Sequence, residues 1–234
     1  MNPLFEIVRK EIDDSHFYFV DGEYYPGVTS ILDEAAPVPW ALKQYFINGT
    51  PDSIASKSET TLAFGSKMHD AYEKLLNGVS LNLRDDYRST KEKKHIASMV
   101  AWARTFRPEV IQTECTVASK ELKYAGTLDL LCKINNELWI IDFKTSAGIY
   151  SSYHWQVEAY RKAVKETFGL DVAHCLIVRT GTTHKVGYEA KESEASFADF
   201  KRIYDTYLSL HGGKIPDPPS VIAYPDTIAI EEKL

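Results

Sequence analysis

Residues 126–146, GTLDLLCKINNELWIIDFKTS, constrain the fold more than any other part of the chain. Two apolar runs, Leu128 to Ile134 and Leu138 to Phe143, each carry one aspartate, and Asn135-Asn136 between them has turn chemistry. Short apolar runs bounded by turns read as strands, and a hairpin would lay the Asp129 strand beside the Asp142 strand. Burying a carboxylate is costly unless it has partners. An aspartate inside Gly126-Thr127-Leu128-Asp129-Leu130-Leu131 therefore needs a reason that a surface acid does not. Side chains two apart on a strand share a face, so Asp142 and Lys144 point together. The acid-x-Lys triplet alone carries little, because it begins at Glu92, Glu121, Asp142, Glu189, Asp199 and Glu231. Only the Asp142 copy closes an apolar strand that follows another acid-bearing strand.

The surrounding pattern predicts an α/β fold. Residues 16–31 alternate around Asp21-Gly22 and read as a hairpin, after which Thr29 or Ser30 could cap a helix. A helix is expected after Pro39 with Trp40, Leu42, Tyr45 and Phe46, while 48–61 has no clear pattern. Apolar residues recur at three and four over 62–77, stopped by Gly78, and again over 91–107, ended by Pro108. Strands are expected at Val110 to Ala118, Leu128 to Ile134 and Leu138 to Phe143, with turns at Ala125-Gly126 and Asn135-Asn136. A helix over 151–167, strands at Ala173 to Arg179 and Lys185 to Tyr188, and a helix over 194–210 complete the pattern. With 234 residues, the chain suits a single domain, 1–234. It would comprise an N-terminal hairpin and helical part (1–108), an α/β core (109–211) and a loop-like tail (212–234).

Composition narrows the function classes. No run of about 18 apolar residues occurs, so no membrane span is expected, and the N-terminus does not read as a secretory signal. Cys115, Cys132 and Cys175 lie in strand-like runs without a CxxC pair. That suits a reducing, cytoplasmic compartment with the thiols packed as small hydrophobes. It argues against a structural zinc or an iron–sulfur cluster, which take four ligands. The formal charge of −6 opposes non-specific coating of nucleic acid but leaves room for a small cleft holding one strand.

The aspartates supply hard oxygen ligands suited to Mg²⁺ or Mn²⁺. Such a metal polarises a phosphate oxygen and lowers the pKa of a bound water, which Lys144 could hold or deprotonate. Gln156 and Tyr160, four apart on the helix after the Asp142 strand, share a face that could hold phosphates or a terminal nucleotide. His69, four before Glu73, could join the two aspartates on the same metal as a neutral imidazole.

Taken in order, Gly65-x-x-x-His69-x-x-x-Glu73, Glu114, Gly126-Thr127-Leu128-Asp129, Asp142-Phe143-Lys144-Thr145 and Gln156-x-x-x-Tyr160 resemble the PD-(D/E)XK nuclease superfamily, in its RecB-like exonuclease branch. The stretch Tyr25-Pro26-Gly27-Val28-Thr29-Ser30-Ile31-Leu32 is similar to the start of phage exonucleases and of the mitochondrial genome maintenance exonuclease. Leu128 stands where the superfamily name has proline.

The resemblance implies a restriction-endonuclease-like core: a mixed central sheet flanked by helices, with a helical N-terminal half arching over the site. It implies that His69, Asp129, Asp142 and the Phe143 carbonyl bind a divalent metal, and that Lys144 positions or activates water. Gln156 and Tyr160 would contact DNA, while Glu73 and Glu114 would stand behind the ligands. The cluster-binding cysteines of the CRISPR-associated relatives are missing, so no iron–sulfur cluster is expected. Tyr24, Tyr25, Trp40, Tyr45 and Trp155 could stack on bases, and Lys57, Lys67, Arg88, Lys91, Lys93 and Lys94 could track phosphates. The expected activity is a Mg²⁺- or Mn²⁺-dependent DNA exonuclease on single strands or ends. A structure-specific endonuclease, or a binding module that does not cut, stands as the alternative.

Overall fold

The computed structural model describes residues 1–12, 15–38, 43, 47–48, 51–183 and 186–218, with backbone alone at 12, 15 and 51–58. The expected helix of Trp40, Leu42, Tyr45 and Phe46, the Lys57 side chain, Lys185 and most of the tail (219–234) lie outside this description.

The chain opens with an antiparallel meander of β1 (Ile7–Ile12), β2 (Ser15–Val20) and β3 (Glu23–Tyr25). Asp21 and Gly22 both have positive φ (47° and 85°), as a two-residue hairpin turn of this kind requires. The N-terminal half is therefore not mainly helical, contrary to the expectation. β1 reads IVRKEI, and Val8, Lys10 and Glu11 are exposed. A charged edge strand of this kind carries almost no apolar alternation, and its pairing with β2 makes it a strand.

The helices α1 (Val28–Ala35), α2 (Pro51–Leu76) and α3 (Thr90–Phe106) follow. Gly27, not Thr29 or Ser30, occupies the N-cap of α1. The unpatterned 48–61 stretch joins a helix from Pro51, where proline's fixed φ suits the first helical turn. Ser89 and Glu92 form a reciprocal capping box at the start of α3.

The central sheet runs β4 (Glu109–Ser119), β5 (Tyr124–Ile134), β6 (Glu137–Lys144), β7 (His174–Arg179) and β8 (Glu189–Glu192), in that order. β6 and β7 are parallel and the other neighbours antiparallel, so the sheet is mixed as expected. α4 (Ser151–Phe168) makes the crossover between the parallel pair, and α5 (Phe197–Leu210) closes the fold. Residues of α1, α4 and α5, among them Ile31, Val164 and Phe200, bury one face with Cys115, Ile140 and Ile177. Residues of α2 and α3, among them Met68, Met99 and Trp102, bury the other face with Leu130, Ile141 and Phe143. No helix among the described residues is long and apolar enough to cross a membrane. All three cysteines are buried with free thiols.

Two turn and strand positions differ from the sequence reading. Glu189–Glu192 pairs as β8, whereas Gly187, inside the expected Lys185–Tyr188 strand, takes φ +80°. The β4–β5 turn falls at 120–123, and Ala125-Gly126 lies within β5. Gly126 is there for close approach: a Cβ at this position would come 2.6 Å from Cε1 of the Tyr160 ring. Ring and strand backbone cannot both hold their places around a methyl group. We expect Gly126→Ala to cost about 1–3 kcal/mol in urea denaturation, and Tyr160→Leu to recover part of that loss in the double variant.

Candidate active site

β5 and β6 pair from Ile134↔Glu137 to Leu130↔Ile141, and their register ends there. β6 continues alongside β7 to Lys144↔Arg179, while β5 continues along β4. The site is built where they part. Asp129 Oδ2 accepts a 2.6 Å hydrogen bond from the Phe143 N–H, so the carboxylate takes the place of a missing ladder partner. β5 also changes face here. Leu128 joins the α4 side of the sheet and Leu130 the α2–α3 side, although residues two apart in a regular strand share a face. Across the ladder, Glu114 has φ +44°, a left-handed conformation uncommon for a residue with a side chain. This double irregularity turns Asp129 out of the hydrophobic layers.

Three carboxyl and imidazole groups meet at the break. His69 of α2 puts Nδ1 3.2 Å from Asp129 Oδ1. Ligand atoms of His69, Glu114 and Asp129 all lie within 4.8 Å of one another. Among the described residues no other set of His, Cys, Asp and Glu is so compact. On β6, Lys144 Nζ donates to Asp142 Oδ1 and to Gln156 Oε1, each at 3.0 Å, and Gln156 Nε2 donates to the Tyr160 hydroxyl at 3.0 Å. Asp142 is buried, and its Oδ2 lies 2.9 Å from the ammonium yet accepts no well-directed hydrogen bond among the described residues. The Thr180 N–H donates to the Lys144 carbonyl at 2.9 Å and pins the lysine's backbone.

The charges of this site act on one another at close range. Burial opposes protonating His69, but the Asp129 carboxylate outweighs it and lifts the imidazole above its ordinary value. Burial alone would raise Asp129, yet His69, Lys144 and the Phe143 N–H together hold it below the usual carboxylate range. Burial, reinforced by the Asp129 charge, pushes Glu114 up to about 7. Burial also pushes Asp142 up to about 6, against the pull of Lys144. Burial works against charging Lys144, but Asp142 and Asp129 raise its pKa, so it remains an ammonium.

This set fits a divalent cation. It offers two carboxylates and an imidazole at sharing distance, plus a buried carboxylate oxygen with unused lone pairs beside them. Burial is what mainly raises Glu114, with the Asp129 and Glu73 charges adding to it, and a bound cation would oppose all three.

The structure brings Asp129, His69, Asp142, Lys144, Gln156 and Tyr160 to one place, and it puts Glu114 in the compact set with His69 and Asp129. Asp142 stands at the side of that set, held by Lys144. Glu73 accepts from the Thr113 hydroxyl at 3.3 Å and adds its charge to those that raise Glu114. Gln156 and Tyr160 are 7% and 2% exposed. Their bonds run to each other and to Lys144, which suits holding the lysine more than touching a strand.

Three neighbours had no signal in the spacing. Arg9 of β1 donates to the Thr127 hydroxyl at 3.4 Å and lies 3.8 Å from the Glu114 carboxylate. The Tyr153 ring lies 4.7 Å from Lys144 Nζ. Asp33 of α1 lies within the field of Lys144, although burial is the larger influence and raises its pKa.

Of the basic and aromatic candidates, Lys67 pairs with Glu92 at 2.7 Å, Arg88 donates to the Asp85 carbonyl, and Lys91 covers the Phe64 ring. Tyr25 is core, and Tyr24 lies edge-on to Phe19.

A family model described as the PD-(D/E)XK nuclease superfamily matches residues 40–221. No curated protein matches. Among solved structures, the alkaline exonuclease LHK-Exo from Laribacter hongkongensis is 11% identical. The similarity covers 80% of this chain and 86% of that one, with a TM-score of 0.42. LHK-Exo in complex with dAMP gives 11%, 80%, 87% and 0.43 for the same quantities. A Eubacterium rectale protein that carries an exonuclease name is 12% identical, over 84% of this chain and 91% of that one, with a TM-score of 0.43.

Glu114 makes stability depend on pH. Its folded value of about 7 lies above its ordinary 4.5, so the folded state retains a proton that the unfolded chain has lost between these values. The resulting stability is present below 4.5 and is lost as pH rises through 7. In EDTA, the melting temperature of the wild type should fall from pH 5 to pH 8, and Glu114→Gln should flatten that fall. Mn²⁺ at pH 8 should restore the wild type more than the variant.

Proposed function

Because this chain belongs to the PD-(D/E)XK nuclease superfamily, we propose that it is a Mg²⁺- or Mn²⁺-dependent DNA exonuclease acting on single strands or DNA ends. The observation that carries this reading is Lys144: an ammonium fixed between Asp142 and Gln156, beside a His/acid set of cation-binding size. Isolated buried lysines are costly, and one kept charged next to a cluster of acids suits stabilising an anionic, phosphorane-like transition state.

His69, Glu114 and Asp129 would hold the metal, with Asp142 Oδ2 and the Phe143 carbonyl as further oxygen donors. A bound Mg²⁺ or Mn²⁺ supplies Lewis acidity toward a phosphate oxygen and a lowered pKa for a ligated water. The chain's own groups do the rest. Lys144 stays protonated, so it acts as a donor: it orients the attacking water through that water's lone pair and offsets charge on the phosphate oxygens. Asp142 keeps the ammonium charged. Gln156, with its amide nitrogen on Tyr160 and its oxygen on Lys144, sets the direction in which the lysine points. With the cation bound, Glu114 would be a ligand whose raised proton affinity is relieved, so the proton of the attacking water passes to solvent rather than to Glu114.

We expect Asp142→Ala and Lys144→Ala each to lower cleavage by at least about 10²-fold on labelled linear DNA, while circular dichroism and cooperative melting persist. Cleavage unchanged in both variants would remove the proposal. EDTA should abolish wild-type activity, and Mg²⁺ or Mn²⁺ should restore it. Linear single-stranded DNA should be degraded while closed circular single-stranded DNA survives. Cutting of the circle would replace the exonuclease reading with an endonuclease one.

A further inference from the structure

A cavity of about 340 Å³ opens between the C-terminal end of α1 and the N-terminal end of α4, with a lining that includes Pro37, Val38, Tyr150, Ser151, Ser152 and Trp155. Small-molecule sites start at roughly this size, about 300 Å³. Its walls are of two kinds. The Tyr150 and Trp155 rings and the Pro37 and Val38 side chains are flat or apolar. The Ser151 and Ser152 hydroxyls lie at the start of an 18-residue helix whose N-cap, Tyr150, makes no side-chain capping bond. Val38 is 41% exposed.

The cavity is connected to the site already described. Lys144 Nζ lies 4.7 Å from the Tyr153 ring, and Tyr153 meets Tyr150, a wall of the cavity, edge-on at 5.5 Å. On the other side, α1 carries Asp33 within the field of the same lysine. Two ring contacts thus link Lys144 to a wall of the cavity.

Resting on the nuclease reading above, we infer that this cavity is a subsite for one base of the bound single strand, stacked against Tyr150 and Trp155 next to the scissile phosphate. A base has a flat apolar face and polar edges, and the cavity pairs aromatic faces with hydroxyls in the same way. Stacking of this kind tolerates any base, because each has a π-face. A paired base inside a duplex cannot enter it, so the subsite favours a single strand.

The test uses the full chain carrying Asp142→Asn, so that DNA is bound without being cut, and fluorescence anisotropy with a dT 12-mer and an abasic 12-mer of equal charge. Tyr150→Ala removes a half-exposed ring that takes no part in capping. Trp155→Leu keeps apolar volume where Trp155 also touches the core. Each should weaken dT 12-mer binding about tenfold or more and change abasic binding less than twofold. Unchanged dT affinity in both variants, or equal loss for dT and abasic strands, overturns the subsite. Free dTMP binding as tightly as the 12-mer overturns the strand path through it. If the wild type neither cuts nor binds any DNA, the nuclease reading itself fails. That result is distinct from a wild type that cuts while Tyr150 and Trp155 prove indifferent.

Discussion

The arrangement depends on β5 and β6 ceasing to pair after Leu130 and Ile141. An unpaired buried N–H costs on the order of 1–3 kcal/mol, and here the Phe143 N–H is satisfied by a side chain, Asp129, in place of a neighbouring strand. That single bond lets the sheet open without leaving the donor stranded, and it fixes a carboxylate at the opening. The opposing Glu114, in its left-handed conformation, and the change of face between Leu128 and Leu130 belong to the same break. A regular ladder would have sent Asp129 into one of the two apolar layers.

The rest of the molecule holds this break in place. α2 and α3 seal one face around Trp102 and Phe143, whose rings meet edge-on at 5.1 Å, and so anchor the strand that carries Asp142 and Lys144. α4 seals the other face and supplies Gln156 and Tyr160 from successive turns. Gly126 lets the Tyr160 ring come down onto β5. The small N-terminal sheet reaches the break through Arg9 and Tyr18, both of which meet the Thr127 hydroxyl. Five carboxyl, imidazole and ammonium groups thus share a small volume, where burial and their mutual charges together move their proton affinities.

Much of this was legible in the sequence, for physical reasons that differ by element. The Asn135-Asn136 hairpin was readable because both residues tolerate the positive φ they adopt, 52° and 66°. The i+2 rule placed Asp142 and Lys144 together, and the i+4 rule joined Gln156 to Tyr160. The same parity rule fails at Asp129, because the strand switches face there. Glu114 looked secondary for a related reason: nothing in its neighbours signals that its backbone turns left-handed. Gly126 was read as a turn because glycine's absence of a side chain serves turns and close packing alike. Arg9 and β1 were illegible because their partners, Glu114, Thr127 and β2, lie across the fold or follow a charged edge.

Mn²⁺ soaked into crystals of the full chain, located by anomalous scattering, tests the central claim most directly. The account expects one strong peak within about 2.5 Å of ligand atoms from His69, Glu114 and Asp129, with Lys144 outside that sphere. A peak elsewhere, or empty density among these three residues at saturating Mn²⁺, would contradict it.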